Sequence, residues 1–184
     1  DGFCGVNHRA KSLLKLFENN CLAVIHGVGN SKNTRSHFTE QDIWETCTIN
    51  DYIRSDGFLN KYLATSQNKK SVLRGVSFGD NLPRIMRGSA QTFSMRSIDD
   101  LFFGERNKPT AAKALESAYQ SKEGEESLIN KAGTNMLVGL KEIRQSIDTV
   151  EETKIVYPTS ILGKQFKDAA RLIKSKLGVE IIEI

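Results

Sequence analysis

Residues 21–28, Cys-Leu-Ala-Val-Ile-His-Gly-Val, follow directly on a stretch of helical periodicity, and this succession constrains the fold more than any other feature. Ala10, Leu13, Leu14 and Phe17 fall on one side of residues 8–20, with Lys11, Lys15 and Glu18 on the other, and Asn19-Asn20 closes the helix. An apolar run without polar alternation predicts a strand covered on both faces. A helix feeding a buried strand is half of an α/β repeat. After the strand come two glycines, a polar loop and a second helix expected from about Ser36 to Cys47.

A strand, a polar loop and a helix N-terminus form the arrangement with which α/β proteins hold anionic or metal-bound groups. The candidates are therefore His26, Asn33, Arg35, Ser36, His37 and Asp42. Ser36 is placed to cap the helix or, as an activated hydroxyl, to act as nucleophile. Thr39 stands where a capping box would have Glu or Gln. His37 suits a metal ligand, a general acid/base or a hydrogen-bonded structural role. His26, at the expected strand end, is a metal ligand or a buried histidine bonded to backbone. Arg35 offers a bidentate fork for an oxyanion, or a salt bridge to Asp42 or Glu45. Asp42 is that partner or a support behind a ligand. Asn33 is a carbonyl ligand or a turn residue. Trp44 reads as core packing. Gly27 and Gly29 permit turns but do not make a dinucleotide fingerprint, because no Gly-x-Gly-x-x-Gly follows.

Further along, Asp56-Gly57 marks a turn before a short helix carrying Phe58, Leu59, Tyr62 and Leu63. Residues 72–78 alternate as a second strand, ended by Gly79-Asp80-Asn81-Leu82-Pro83, and residues 84–94 read as an irregular excursion with a short edge strand. From 105 to 153 polar residues dominate. Two helical stripes break them: Ala111, Leu115 and Ala118, then Met136, Leu140, Ile143, Ile147 and Val150. This part reads as a helical insertion or cap. Pro158 with Thr159 or Ser160 starts another helix whose apolar stripe is Leu162, Phe166, Ala169, Ala170, Ile173 and Leu177, and Gly178 stops it. Residues 179–184 read as a strand. Three segments result: 1–104, the first part of an α/β core with the strand-loop-helix site; 105–153, the insertion; and 154–184, the return to the core.

Length and composition narrow the classes. The 184 residues suit one domain with a real core, and 39% hydrophobic with 26% charged residues is ordinary for a globular chain. A net charge of +4 without a Lys/Arg block interleaved with aromatics points away from nucleic acid. No apolar run reaches the roughly 20 residues of a membrane span, and the N-terminus has no signal-peptide pattern. Cys4, Cys21 and Cys47 form no Cys-x-x-Cys pair, and buried free thiols are the expectation.

The run Leu22–Gly29, followed by Asn33-Thr-Arg-Ser-His-Phe38 and Asp42-Ile-Trp44, resembles the bacterial family called domain of unknown function 1501, placed in the alkaline-phosphatase and sulfatase-like superfamily. Asp1-Gly-Phe3, Gly57-Phe-Leu-Asn-Lys-Tyr62, Leu82-Pro-Arg84 with Arg87-Gly88, and Tyr157-Pro-Thr159 fall in the family's order. The resemblance covers most of the chain and is weakest in the helical insertion. It implies an α/β fold: a partial alkaline-phosphatase-like sheet with flanking helices. It also implies an exported, periplasmic bacterial protein related to metal-dependent phosphate- or sulfate-ester hydrolases, with an anionic ester as substrate. By the same analogy Ser36, His37 and Arg35 are the catalytic candidates, and His37, Asn33 and His26 the candidate ligands of a divalent metal. The family's Gly-Gly-Asn-Asp, Asp-Thr-His and Asp-His-Gly type motifs are absent, so the main metal ligands are expected outside these residues, in a missing remainder of the polypeptide. The alternative is a non-catalytic binding or accessory module of the same fold, favoured by the absence of a Cys-x-Pro-x-Arg sulfatase signature.

Overall fold

The computed structural model describes residues 5–67, 71–99, 117–119, 128–147, 149–150 and 154–184. The chain divides into two compact units, Asp1–Arg35 and Ser36–Ile184.

The first unit contains a 3-10 turn at His8–Ala10 and helix α1, Lys11–Glu18. Asn7 caps the turn by accepting from the backbone N–H of Arg9 at 2.9 Å. Asn20 closes the helix in the left-handed region, with φ 57°. The stripe read from the sequence is there, but Leu13, Leu14 and Phe17 stay substantially exposed. The strand expected over 21–28 does not form: these residues make no ladder bonds, and Val24, Ile25 and Val28 are exposed. Apolar composition makes a segment compatible with a buried strand, but a strand exists only where a neighbour supplies the ladder.

The second unit holds α2 (His37–Thr46), α3 (Phe58–Thr65), β1 (Gly75–Phe78), a 3-10 turn (Arg84–Met86), β2 (Phe93–Met95), α4 (Leu128–Ile147), α5 (Ile161–Lys174) and β3 (Ile181–Glu183). The strands form one parallel sheet in the order β2-β1-β3. Val76 pairs with Phe93 on one side and with Ile182 on the other. The coarse α/β class is therefore observed. β1 is central, and all four of its residues are buried.

Alternation along β1 divides the packing. Val76 and Phe78 join Leu73, Met95, Ile98, Ile143, Ile147, Ala169 and Leu172 in the main core. The other face carries Gly75, where an added Cβ would stand 2.6 Å from Leu63 and 3.0 Å from Met86. A side chain there would push aside the side chains of Leu63, Thr92 and Met86. Gly139 plays the matching part in α4, its missing side chain letting the helix close on Phe93 and Leu73. Thus the stripe of residues 136–147 enters the main core through Ile143 and Ile147, while Ala111 and Leu115 lie outside the described residues.

Polar contacts lock the register. Arg74 donates through Nε to Glu180 at 2.5 Å and through Nη2 to the Leu63 carbonyl at 2.7 Å, while the Ser66 hydroxyl donates to Glu180 at 2.8 Å. The hydrogen bond from Arg74 holds the Glu180 carboxyl below its usual range. Burial pulls the other way, and the Ser66 bond and the guanidinium charge add to the lowering. A group depressed in this way stabilises the fold above its unfolded pKa and loses that contribution as pH falls through the folded one. Acidification through the ordinary carboxylate range should therefore lower the urea midpoint of the wild type more than that of Glu180→Gln. Equal slopes for the two proteins would remove the ion pair from the account.

α5 corrects the predicted stripe. Ser160 caps it, accepting from the Gly163 N–H at 3.2 Å, as expected. Its core contacts, however, are Ala169 and Leu172, whereas Ile173 is 67% exposed and Phe166 50%. Asp168 points inward, accepting from the Ile98 N–H at 3.0 Å and from Arg171 at 3.1 Å, which ties α5 to the end of β2.

Candidate functional site

The candidate residues divide between the two units. In the first, the loop after Gly27 is stitched by its own asparagines. Gly27 takes φ +67°, the left-handed conformation a glycine tolerates best. Asn30 Oδ1 accepts from the Lys32 N–H at 2.7 Å, and Asn33 Oδ1 accepts from the Arg35 N–H at 2.8 Å. Asn33 is thus a turn residue, with its carbonyl oxygen engaged by the backbone. Arg35 stands in the left-handed region at φ 58°, and its side chain and that of His26 are exposed. His26 therefore does not end a strand and is not the buried histidine the sequence suggested.

In the second unit, Ser36 is the N-cap of α2, accepting from the Thr39 N–H at 3.3 Å. The capping follows from extended backbone at Ser36, which turns its short side chain back over the first orphan donors. His37 opens the helix and is exposed. Asp42 does not pair with an arginine of the preceding loop. It lies 3.5 Å from Arg84 Nε, and Arg84 also donates through Nη2 to the carbonyls of Tyr52 and Ile53. Glu45 accepts from the Ile85 N–H at 3.0 Å and from Gln41 at 2.8 Å. Both acids of α2 therefore hold the 3-10 turn against the helix. Ile43 and Thr46 face inward, which leaves Trp44 half exposed instead of in the core. Cys47 ends the helix at φ 50° with an exposed thiol, and Cys21 is exposed too, against the expectation of buried thiols.

These residues do not fit a metal by themselves. Among the described residues there is no group of three or more His, Cys, Asp or Glu side chains able to hold one, and Asn33 already accepts a backbone N–H.

A second polar locus is found at the carboxyl ends of β1 and β3. From β1 the chain proceeds to β2 on one side, and it returns to β3 on the other. Such a reversal opens a crevice beyond the strand ends in parallel sheets. There the buried Ser77 hydroxyl donates to Glu183 at 2.6 Å, across the registered pair Ser77–Glu183. Gln165 of α5 donates to the Phe78 carbonyl at 2.9 Å, and Arg96 bonds Asp80 just past β1 and β2. Sequence reasoning passed over Ser77 and Glu183. The available signal was a polar residue inside each of two segments read as strands.

In comparisons with protein-family models, curated proteins and solved structures, nothing matches this chain.

Proposed function

We propose that the chain is part of an exported bacterial α/β protein related to phosphate- or sulfate-ester hydrolases of the alkaline-phosphatase-like kind, in which its own share of the work is to bind and orient the anionic group. The observation that carries this reading is Ser36 at the N-cap of α2, directly after Arg35, with the resemblance of the Arg-Ser-His-Phe box behind it. A helix start presents unpaired N–H groups and the positive end of the peptide dipoles, which favours an anion. Arg35, the preceding residue in sequence, is assigned the guanidinium fork for the anion, which offers two parallel donors. His37, exposed at the first position of α2, is the proton carrier in this scheme. The metal expected of the superfamily requires donors beyond the described residues, and no step is assigned to it.

A second reading, an anion-binding module without turnover, is favoured by the use of Ser36 Oγ as a cap acceptor. One series separates the two, using 4-nitrophenyl phosphate and 4-nitrophenyl sulfate with added zinc, manganese or calcium, alongside calorimetric binding of inorganic phosphate and sulfate. Arg35→Ala is expected to weaken anion binding at least tenfold, about 1.4 kcal/mol. Ser36→Asn keeps the cap and removes the hydroxyl. Turnover abolished in Ser36→Asn, with anion binding retained, supports the enzyme. Binding without turnover in the wild type supports the module. Neither binding nor turnover sinks both.

A further inference from the structure

Beyond the candidate site, the structure has a broad apolar surface whose surroundings are mainly basic. Ile155 to Pro158 lead into α5 as an open strap, with Val156 93% exposed, and the first turn of α5 presents Ile161 at 78%. The surface continues along α5 through Leu162, Phe166 and Ile173. Tyr157 and Pro158 line both the depression that holds Phe166 and Ile173 and the one that holds Ile155 and Val156, so the surface is continuous. Lys164 and Lys167 line the second depression beside those apolar residues.

The charge of the strap and α5 is mainly basic, although Asp99 pairs with Arg171 and Glu183 lies between Ile182 and Ile184 at the end of β3. Residues 154–178 contain six Lys or Arg and a single acid, Asp168. That acid is buried and is neutralised locally by Arg171. At 100° per residue, Leu162, Phe166, Ala170 and Ile173 occupy one arc of α5, and Lys164, Lys167 and Lys174 follow on the adjoining exposed arc. An apolar arc beside a cationic arc on a helix is the pattern that lies in a membrane interface, with lysine stems along the hydrocarbon and ammonium groups among the phosphates. No helix among the described residues is long and apolar enough to cross a membrane, so the contact in question is peripheral.

We propose that the 155–158 strap and the outer side of α5 dock on an anionic lipid surface. Val156, Leu162, Phe166 and Ile173 enter the headgroup boundary, and Lys164, Lys167 and Lys174 supply the charge complementarity. Val156 is the most exposed apolar side chain of the chain's described residues, and the lysines flank the apolar arc along one side, the order in which a helix lies in a bilayer interface. This inference is independent of the ester reading.

The test is flotation of the full chain with vesicles of phosphatidylcholine alone and of equal parts phosphatidylcholine and phosphatidylglycerol, at low and high salt. The expected result is binding to the anionic vesicles that falls steeply with salt, because surface charges are screened. Lys164→Gln/Lys167→Gln/Lys174→Gln should weaken it roughly 100-fold, since each lysine near an anionic leaflet contributes about a fivefold factor. These lysines are exposed, so the far-UV circular dichroism should not change. Leu162→Ser/Phe166→Ser should lower binding at either salt concentration. Equal recovery with neutral and anionic vesicles, insensitivity to salt and to the lysine triple variant, or a salt-resistant dimer or acidic polypeptide occupying this face without vesicle binding would each overturn the proposal.

Discussion

Asn60→Ala is expected to lower the unfolding free energy by about 2 kcal/mol or more, because the Ala90 N–H and carbonyl lose their partner at once, while the Met86 carbonyl keeps only the Thr92 hydroxyl. Asn60 is fully buried on α3. Its amide nitrogen donates to the carbonyls of Met86 at 2.9 Å and Ala90 at 2.7 Å, and its oxygen accepts from the Ala90 N–H at 2.9 Å. Each buried group left unsatisfied costs roughly 1–3 kcal/mol, and the half-buried Ala90 belongs to the lower part of that range. Beside it, the Gly57 N–H donates to the Arg87 carbonyl at 2.8 Å, and a Cβ at Gly57 would stand 2.2 Å from the carbonyl oxygens of Arg84 and Ile85. Backbone atoms cannot give way as a flexible side chain can, so Gly57→Ala forces the two segments apart at a comparable cost. Both changes strike one joint, and the double variant should lose less than the sum of the two. Urea titrations followed by circular dichroism measure all three. A loss below about 1 kcal/mol for Asn60→Ala would mean that the joint contributes little in solution.

The second large effect is a contrast between neighbours. Leu172→Ala should cost about 2–5 kcal/mol and Ile173→Ala no more than about 0.5 kcal/mol. Leu172 is 1% exposed in the main core, so its truncation leaves a cavity, whereas Ile173 loses only contacts it shares with solvent. The sequence pattern alone ranks them the other way, because Ile173 belongs to the 162–166–169–173 spacing and Leu172 does not. Thermal or urea unfolding of the two variants decides between the rankings. Equal costs would place α5 differently on the sheet.

Local elements were legible where local chemistry decides them. The N-caps at Ser36 and Ser160, the left-handed Gly178, the strand over 75–78 and the short edge strand at 93–95 all follow from residues a few positions apart. The resemblance motifs Gly57–Asn60 and Arg84–Gly88 were visible as strings, but their meeting was not. A hydrogen bond between residues 26 to 30 positions apart leaves no periodic trace. The same holds for the partner of Asp42. Sequence proximity suggested Arg35, while the structure supplies Arg84 from a segment 42 residues on.

By itself, the sequence determined most of the helical segments among the described residues, where several of them begin and stop, and the coarse α/β class. Those outcomes rest on backbone sterics, capping and period, all local quantities. Tertiary structure alone decided which apolar residues are core. It turned Leu172 in and Ile173 out, left Trp44 half exposed and the 21–28 run without a ladder, and set Ser77 against Glu183 at the strand ends. Burial and strand pairing are properties of what lies opposite, and an amphipathic pattern names the faces that can be covered without naming the neighbour that covers them.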